Sequence, residues 1–131
     1  MKHIEVVAAV IYKGNKILCV QRGKHKFDYI SLKFEFPGGK IEIGETKEDA
    51  LIREIKEELE MNIEIQKEFL TVFFEYPDFK ITMHSFICIC KSDVFSLKEH
   101  VEFKWLLNTE LGGLDWASAD IPIVKKLQSQ K

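Results

Sequence analysis

Short apolar stretches separated by turn residues give this chain a strand-rich pattern. β-branched and aromatic residues dominate these stretches, which is typical of strands. Strands are predicted over residues 4–12, 16–21, 34–36, 63–76, 81–90 and 102–107. Gly14-Asn15 and Pro77-Asp78 predict the turns of two hairpin-like pairs.

Two segments have helical spacing instead. The first is predicted to begin at Thr46, with Asp49 completing a capping box. Its predicted buried stripe consists of Leu51, Ile52, Ile55 and Leu59. The second covers residues 120–128, with Asp120 near its cap and Pro122 in its first turn. Strands flanked by two helices indicate an α/β fold, an α/β/α sandwich around a mixed β-sheet, although propensity leaves the strand order open.

The first helix also has an acidic face. Glu54, Glu57 and Glu58 stand at i, i+3 and i+4 and therefore project from one side. Like charges so placed destabilise an exposed helix by roughly 0.2–0.5 kcal/mol per pair. A solvated helix face is the ordinary interpretation of such a stripe. A divalent cation would instead turn the repulsion into a binding site, because Mg²⁺ prefers oxygen ligands.

The segment around this helix resembles the Nudix box, the signature of Nudix hydrolases. The residues at matching positions are Gly39, Glu45, Arg53, Glu54, Ile55, Glu57, Glu58 and Met61. Glu60 stands where the family has the glycine that ends the helix. Because Asn tolerates a left-handed conformation, we expect Asn62 to take over the cap.

This resemblance implies a metal-dependent reaction. Glu54, Glu57 and Glu58, with the carbonyl of Gly39, are expected to bind Mg²⁺, for which Mn²⁺ is a possible substitute. A fourth carboxylate is expected before the last strand, and Glu99 is preferred to Glu102 because the latter lies within the predicted strand. The carboxylate that accepts the proton is Glu54 or Glu99. Arg53 is expected to act in the site by bracing Glu57 across one helical turn.

Further segments are similar to the MutT-like and CTP pyrophosphohydrolase-like branch of that family. They cover residues 35–40, 76–82 and 116–122. The resemblance implies hydrolysis of a nucleoside triphosphate, an oxidised dGTP or CTP/dCTP, to the monophosphate and pyrophosphate. The alternatives are another nucleoside diphosphate derivative, such as ADP-ribose or a dinucleoside polyphosphate, and a nucleotide-sensing domain without catalysis.

Five further residues are predicted to bind this substrate. Arg22 and Lys40 are candidates for the phosphates, because both are cations. Phe36 and Phe79 are candidates for framing the base, since aromatic faces stack on nucleobases. Asp120 is interpreted either as a helix cap or as the residue that faces the base.

Composition excludes several other classes of protein. A chain of 131 residues, 46% of them hydrophobic, predicts a single domain over residues 1–131. The net charge of −2 gives no reason to expect a nucleic-acid partner, and no apolar run approaches the ~20 residues of a membrane span. Three cysteines without a CxxC motif predict buried free thiols in a cytoplasmic protein. The oligomeric state is left open between monomer and homodimer.

Overall fold

The computed structural model describes residues 1–130 and confirms the predicted strands and helices to within about three residues. Within that range the strands are β1 (Lys2–Lys13), β2 (Lys16–Arg22), β3 (Phe34–Glu35), β4 (Gly38–Lys40), β5 (Ile63–Glu75), β6 (Phe79–Cys90) and β7 (His100–Leu106). The helices are α1 (Lys47–Leu59) and α2 (Ile121–Gln128), and 3-10 turns cover Asn108–Gly113 and Ser118–Asp120. Strand β4 was not predicted, because its glycines have low strand propensity.

The strands of the described residues form one seven-stranded mixed sheet. Its main path runs β3-β2-β1-β6-β5, while β4 pairs with β1 and β7 pairs with β2. Strands β1 and β6 are parallel, and the other pairs are antiparallel. The β1–β4 pairing sets Val7 opposite Gly39, so the glycine-rich segment lies beside the centre of the sheet.

Strand β1 sends successive side chains to the two faces of this sheet, as a pleated strand must. Val7, Ala9 and Ile11 pack under α1. Ala8 and Val10 pack with the residues of α2 and the 3-10 turns. Both faces are therefore covered by helices, which confirms the predicted α/β/α sandwich and explains the continuous apolar run in β1.

Helix α1 begins as predicted but buries a different stripe. The Thr46 hydroxyl accepts a hydrogen bond from the Asp49 N–H at 3.1 Å, which is the N-cap half of the predicted box. Leu51, Ile55 and Leu59 are fully buried, whereas Ile52 is 48% exposed. The prediction for Ile52 was wrong because it lies about 100° around the helix from Leu51, beyond the face that meets the sheet.

The helix also ends differently from the prediction. Glu60 itself adopts the left-handed conformation, with φ 52° and ψ 36°, and its N–H donates to the Lys56 carbonyl. The expectation that Asn62 would take over the cap was therefore wrong. The Asn62 side chain instead accepts a hydrogen bond from Lys56 Nζ at 3.1 Å.

Two further predictions concern cysteines and membrane spans. Cys19, Cys88 and Cys90 are free thiols, as predicted, although Cys90 is only half-buried. In the described part of the chain, no helix combines the length and the apolar character needed to cross a membrane.

Candidate active site

Helix α1 places the three box glutamates at three different depths. Glu58 is buried beside Leu51 and Ile55, within the stripe that faces the sheet. The Glu54 side chain is 16% exposed and the Glu57 side chain is 59% exposed. The acidic face and the buried stripe therefore overlap at Glu58, and the carboxylates form a gradient from core to solvent.

Glu58 is an acid held where an ionised carboxylate is costly. Burial, followed by the negative charges of Glu35, Glu99 and Glu54, raises the pKa of its carboxyl to about 9. Its Oε2 atom is buried and has no hydrogen-bond partner among the described residues. An unpartnered buried carboxylate oxygen surrounded by other acids is the arrangement that a cation would stabilise.

Gly39 lies directly against the Glu54 carboxylate. A Cβ atom built on Gly39 would lie 2.3 Å from Glu54 Oε2, closer than any side chain allows. Burial raises the pKa of Glu54, although the neighbouring Arg53 acts in the opposite direction. Position 39 requires a glycine, because any side chain there would occupy the space of the Glu54 carboxylate beside the backbone of β4.

Arg53 connects the helix to the loop that precedes it. Its Nε and Nη2 atoms donate to the two oxygens of Glu45 at 2.7 and 2.8 Å, and Nη2 also donates to the Lys40 carbonyl at 3.1 Å. This pairing lowers the pKa of Glu45 to about 2. Arg53 Nη1 contacts Glu54 at 2.9 Å and Glu57 at 3.2 Å. The predicted contact with Glu57 is present, but the bidentate partner is Glu45.

Two acids near the last strand differ in position. Glu99 is exposed in the loop before β7, and its charge raises the pKa of both Glu54 and Glu58. Glu102 lies inside β7, paired with Gln21 of β2. The expectation that Glu102 belongs to the strand is confirmed, and Glu99 is the acid whose field reaches the helix.

The residues present fit a hard cation in kind and in charge. Within residues 1–130, no three carboxylate, imidazole or thiol side chains converge on one point. Arg53 Nη1 contacts the carboxylates of both Glu54 and Glu57. The unpartnered Glu58 oxygen and the close approach of Glu54 to Gly39 nevertheless supply the oxygen donors that such an ion prefers.

A second buried carboxylate, Asp120, ends the 3-10 turn Ser118–Asp120, which packs on the face of the sheet opposite α1. Its Oδ1 atom accepts a hydrogen bond from the Phe36 N–H at 3.0 Å. Burial, followed by the charge of Glu35, raises its pKa well above the ordinary value. Asp120 occupies the N-cap position of α2 and Pro122 lies in its first turn, as predicted, but the Asp120 side chain makes no capping bond to the helix, so its carboxylate does not serve as the cap.

Aromatic rings surround Asp120 and the segment to which it bonds. Phe36 is buried and stacks on Trp116 with 4.7 Å between ring centroids. Phe79 is half-buried and packs on Tyr76 at 5.1 Å. The Tyr76 hydroxyl accepts a hydrogen bond from the Ala119 N–H at 2.9 Å. The pairs Phe36–Trp116 and Tyr76–Phe79 belong to one hydrophobic core cluster, and we call these four rings the aromatic wall.

Comparison with known proteins agrees with this geometry. Residues 1–127 match the family profile of the NUDIX domain. The chain belongs to the Nudix family. The 8-oxo-dGTP diphosphatase of Escherichia coli K12 is 30% identical over 128 residues, which cover 98% of each chain. The CTP pyrophosphohydrolase of the same organism is 34% identical over 125 residues, covering 95% of this chain and 91% of that protein.

Solved Nudix structures share the whole fold. The solution NMR structure of the DNA mismatch repair protein MutT, a Nudix hydrolase from methicillin-resistant Staphylococcus aureus 252, is 41% identical. It covers 100% of both chains with a TM-score of 0.79. These matches confirm the predicted family, fold and enzyme class. Nudix hydrolases generally require a divalent metal.

Two residues that connect the two ends of the site, Glu35 and His100, were not predicted as site residues from the sequence. Glu35 influences both Glu58 and Asp120 by its charge. It is held by His100 Nε2 at 3.0 Å and by Arg22 Nη1 at 3.6 Å. The His100 side chain is only 4% exposed. The pairing of β2 with β7 brings Arg22 and His100 together, and only the sheet register reveals this.

The remaining predicted residues lie at the rim. The Lys40 side chain is exposed at the end of β4, while its carbonyl is bound to Arg53. Arg22 is exposed at the end of β2 and leans on Glu35. Both cations are therefore exposed at the ends of their strands.

Proposed function

We propose that this Nudix hydrolase cleaves a nucleoside triphosphate, an oxidised dGTP or CTP/dCTP, to the monophosphate and pyrophosphate with Mg²⁺. The observation that supports this most strongly is the buried Glu58 carboxylate, whose Oε2 atom lacks a partner and faces the charges of other acids. The names of the E. coli relatives, an 8-oxo-dGTP diphosphatase and a CTP pyrophosphohydrolase, support a triphosphate substrate.

The proposed metal ligands are Glu54, Glu57, Glu58 and Glu99, together with the Gly39 carbonyl. Mg²⁺, with Mn²⁺ as a substitute, would neutralise phosphate charge and make water more acidic. Ionised Glu58 is favoured once a cation replaces the proton that burial otherwise keeps on it.

The chain's other side chains have separate tasks in this proposal. Glu54 or Glu99 accepts the proton of the attacking water. Arg53 acts within the site as a brace, because it fixes Glu54 and Glu57 from behind through its bond to Glu45. Arg22 and Lys40 bind phosphate oxygens from the rim.

Base recognition is assigned to the aromatic wall and Asp120. Phe36 packs on Trp116 inside the core, and Phe79 packs on Tyr76. Phe79 is the half-buried ring of these four and so the one whose face a flat base can stack on, with Phe36 behind it in the core. An ionised Asp120 accepts hydrogen bonds and suits the exocyclic amine of cytosine. A protonated Asp120, which its raised pKa favours, also donates and suits the amide-like edge of an oxidised guanine.

We take residues 1–131 as one Nudix domain that acts in the cytoplasm, because all three cysteines are free thiols. The partner is a small nucleotide and not a nucleic acid, in keeping with the net charge of −2.

The test is a substrate panel assayed with Mg²⁺. It contains 8-oxo-dGTP, dGTP, CTP and dCTP, with ADP-ribose and a dinucleoside polyphosphate as the other arms. The expected result is pyrophosphate release from one of the triphosphates, abolished by excess chelator. In ¹⁸O-labelled water, attack at the β-phosphorus places the label in pyrophosphate. Label in the monophosphate would contradict the site of attack, and preferential hydrolysis of ADP-ribose would contradict the substrate class.

A further inference from the structure

The loop of residues 91–99 is attached to the C-terminal end of α1. The Ser96 N–H donates to the Leu59 carbonyl at 3.0 Å, and the Lys98 N–H donates to the Glu58 carbonyl at 3.0 Å. Carbonyls in the last turn of a helix have no partner within the helix, so the loop satisfies them. The chain that carries Glu99 is thereby fixed to the helix end that carries Glu58.

Glu60 makes the third connection between these segments. It occupies the position where the Nudix box has glycine, and its left-handed backbone disfavours any side chain with a Cβ. Its Oε1 atom lies 2.6 Å from Lys98 Nζ. The unfavourable backbone conformation is therefore accompanied by an ion pair that glycine could not form.

Lys98 is held at both ends by this arrangement. Its backbone N–H is bound to the Glu58 carbonyl, and its ammonium group is bound to the Glu60 carboxylate. Glu99 follows Lys98 directly in the sequence. The segment that carries Glu99 is therefore attached to the end of α1 through both the backbone and the side chain of Lys98.

We propose that Glu60 is a positioning residue that, through Lys98, holds the loop so that Glu99 faces the carboxylates of α1. This role rests on the proposed function, in which Glu99 is a metal ligand. The Nudix glycine at this position ends the helix without reaching the loop, so the glutamate adds a connection that the family pattern lacks.

Stability and positioning make opposite predictions for Glu60→Gly. Both partners of the ion pair are half-exposed, at 50% for Lys98 and 56% for Glu60, so the pair contributes little to overall stability. Glycine relieves the backbone strain. The variant should therefore keep or raise its melting temperature while its loop becomes less restrained.

The experiment compares wild type with Glu60→Gly, Lys98→Gln and the charge-swapped Glu60→Lys/Lys98→Glu. Hydrogen exchange is followed at the Ser96 and Lys98 amides, and Mn²⁺ affinity is measured by calorimetry without substrate. Both single variants should exchange faster and bind Mn²⁺ roughly two- to fivefold more weakly, the range that an exposed ion pair supports. The swapped variant should recover part of both losses.

Glu68→Gln is the matched control, because it breaks the exposed Lys47–Glu68 pair away from this loop. Its loop exchange and its Mn²⁺ affinity should equal those of wild type. Unchanged exchange and affinity in Glu60→Gly would overturn the positioning role, and so would a lower melting temperature with faster exchange throughout the chain.

Glu99→Gln separates this inference from the proposed function. It should weaken Mn²⁺ binding while leaving exchange at the Ser96 and Lys98 amides unchanged. If Glu99→Gln binds Mn²⁺ as wild type does, Glu99 is not a ligand, and the positioning role fails with that assignment. If Glu99→Gln binds weakly but Glu60→Gly does not, the metal site stands and only the role of Glu60 is wrong.

Discussion

Two buried carboxyl groups, one at each end of the site, differ in what surrounds them. Burial and neighbouring acids raise the pKa of Glu58 to about 9, and its Oε2 atom has no hydrogen-bond partner within residues 1–130. Asp120 also has a raised pKa, but its Oδ1 atom accepts the N–H of Phe36 at 3.0 Å, and the Phe36 ring stacks on Trp116. Both carboxyl groups are buried, but they differ in the charged and hydrogen-bonding groups that surround them.

This contrast separates two uses of a buried acid. Burial and like charges oppose the ionised form of Glu58, which a bound cation would stabilise. Glu35 also raises the pKa of Asp120, but Asp120 already has one hydrogen-bond donor, so a neutral carboxyl there is tolerated and remains able to donate. The Glu58 end of the site is therefore suited to binding a cation, and the Asp120 end is suited to recognising hydrogen-bond donors and acceptors on a base.

The largest expected effect comes from removing the charge at Glu58. Glu58→Gln should lower kcat by at least ~10²-fold, as expected for the loss of a major electrostatic contributor, and should weaken Mg²⁺ binding. Steady-state kinetics and calorimetry measure the two losses. Glu48→Gln, an exposed glutamate in the first turn of the same helix, serves as the control and should keep full activity. Wild-type turnover in excess chelator would contradict the metal-dependent mechanism.

The metal end was largely predictable from sequence, and the reason is local. Glu54, Glu57 and Glu58 lie on one helix, so their common face follows from helical periodicity alone. The burial of each side chain could not be predicted in this way, because the sequence pattern does not show that Glu58 is buried against the sheet while Ile52 is exposed. Burial depends on where the sheet lies, which is a tertiary property.

At the base end, the sequence predicted which residues are involved but not how they contact one another. Phe36, Phe79 and Asp120 come from three distant segments, and nothing local indicates that the Phe36 N–H bonds to Asp120. The Glu35–His100 contact was missed for the same reason, since it depends on the register between β2 and β7. The Asp120 carboxylate does not cap α2, because a long-range donor competes with the helix N-terminus.

A smaller effect is expected at the base end. Asp120→Ala should lower kcat/KM for the preferred nucleotide by ~10-fold or more, about one hydrogen bond to a charged group. It also leaves the buried Phe36 N–H without a partner, at a cost of about 1–3 kcal/mol in unfolding free energy. Asp120→Asn keeps an acceptor for that N–H, so it should retain stability while changing base preference. Competition assays with 8-oxo-dGTP and CTP measure the base preference of each variant, and calorimetry measures its Mg²⁺ affinity. A changed Mg²⁺ affinity would contradict the separation of the two ends.

Arg53 tests whether the metal end depends on bracing as well as on charge. Arg53→Lys keeps the positive charge but loses the two-pronged bond to Glu45 and the additional contacts with Glu54 and Glu57. We expect kcat/KM to fall roughly fivefold, the size of about 1 kcal/mol, with unchanged base preference. Lys47→Arg, on the same helix, provides a control for the exchange of cations. A shifted base preference in Arg53→Lys would show that the two ends are coupled.

The last expected effect is on stability and not on activity: the pH dependence of stability distinguishes the two carboxyls. The folded protein keeps a proton on Glu58 between its ordinary pKa of 4.5 and about 9, whereas the unfolded chain releases it. This contribution to stability is complete below pH 4.5 and is lost as the pH rises toward 9. The melting temperature of the metal-free protein should therefore fall between pH 6 and pH 9, and less so in Glu58→Gln. Added Mg²⁺ should restore stability at pH 9 in wild type and in Asp120→Asn, because the cation replaces the proton on Glu58 alone. Equal pH slopes in wild type and Glu58→Gln, measured by thermal denaturation, would mean that Glu58 is already ionised near neutral pH and that its surroundings stabilise the charge without a cation.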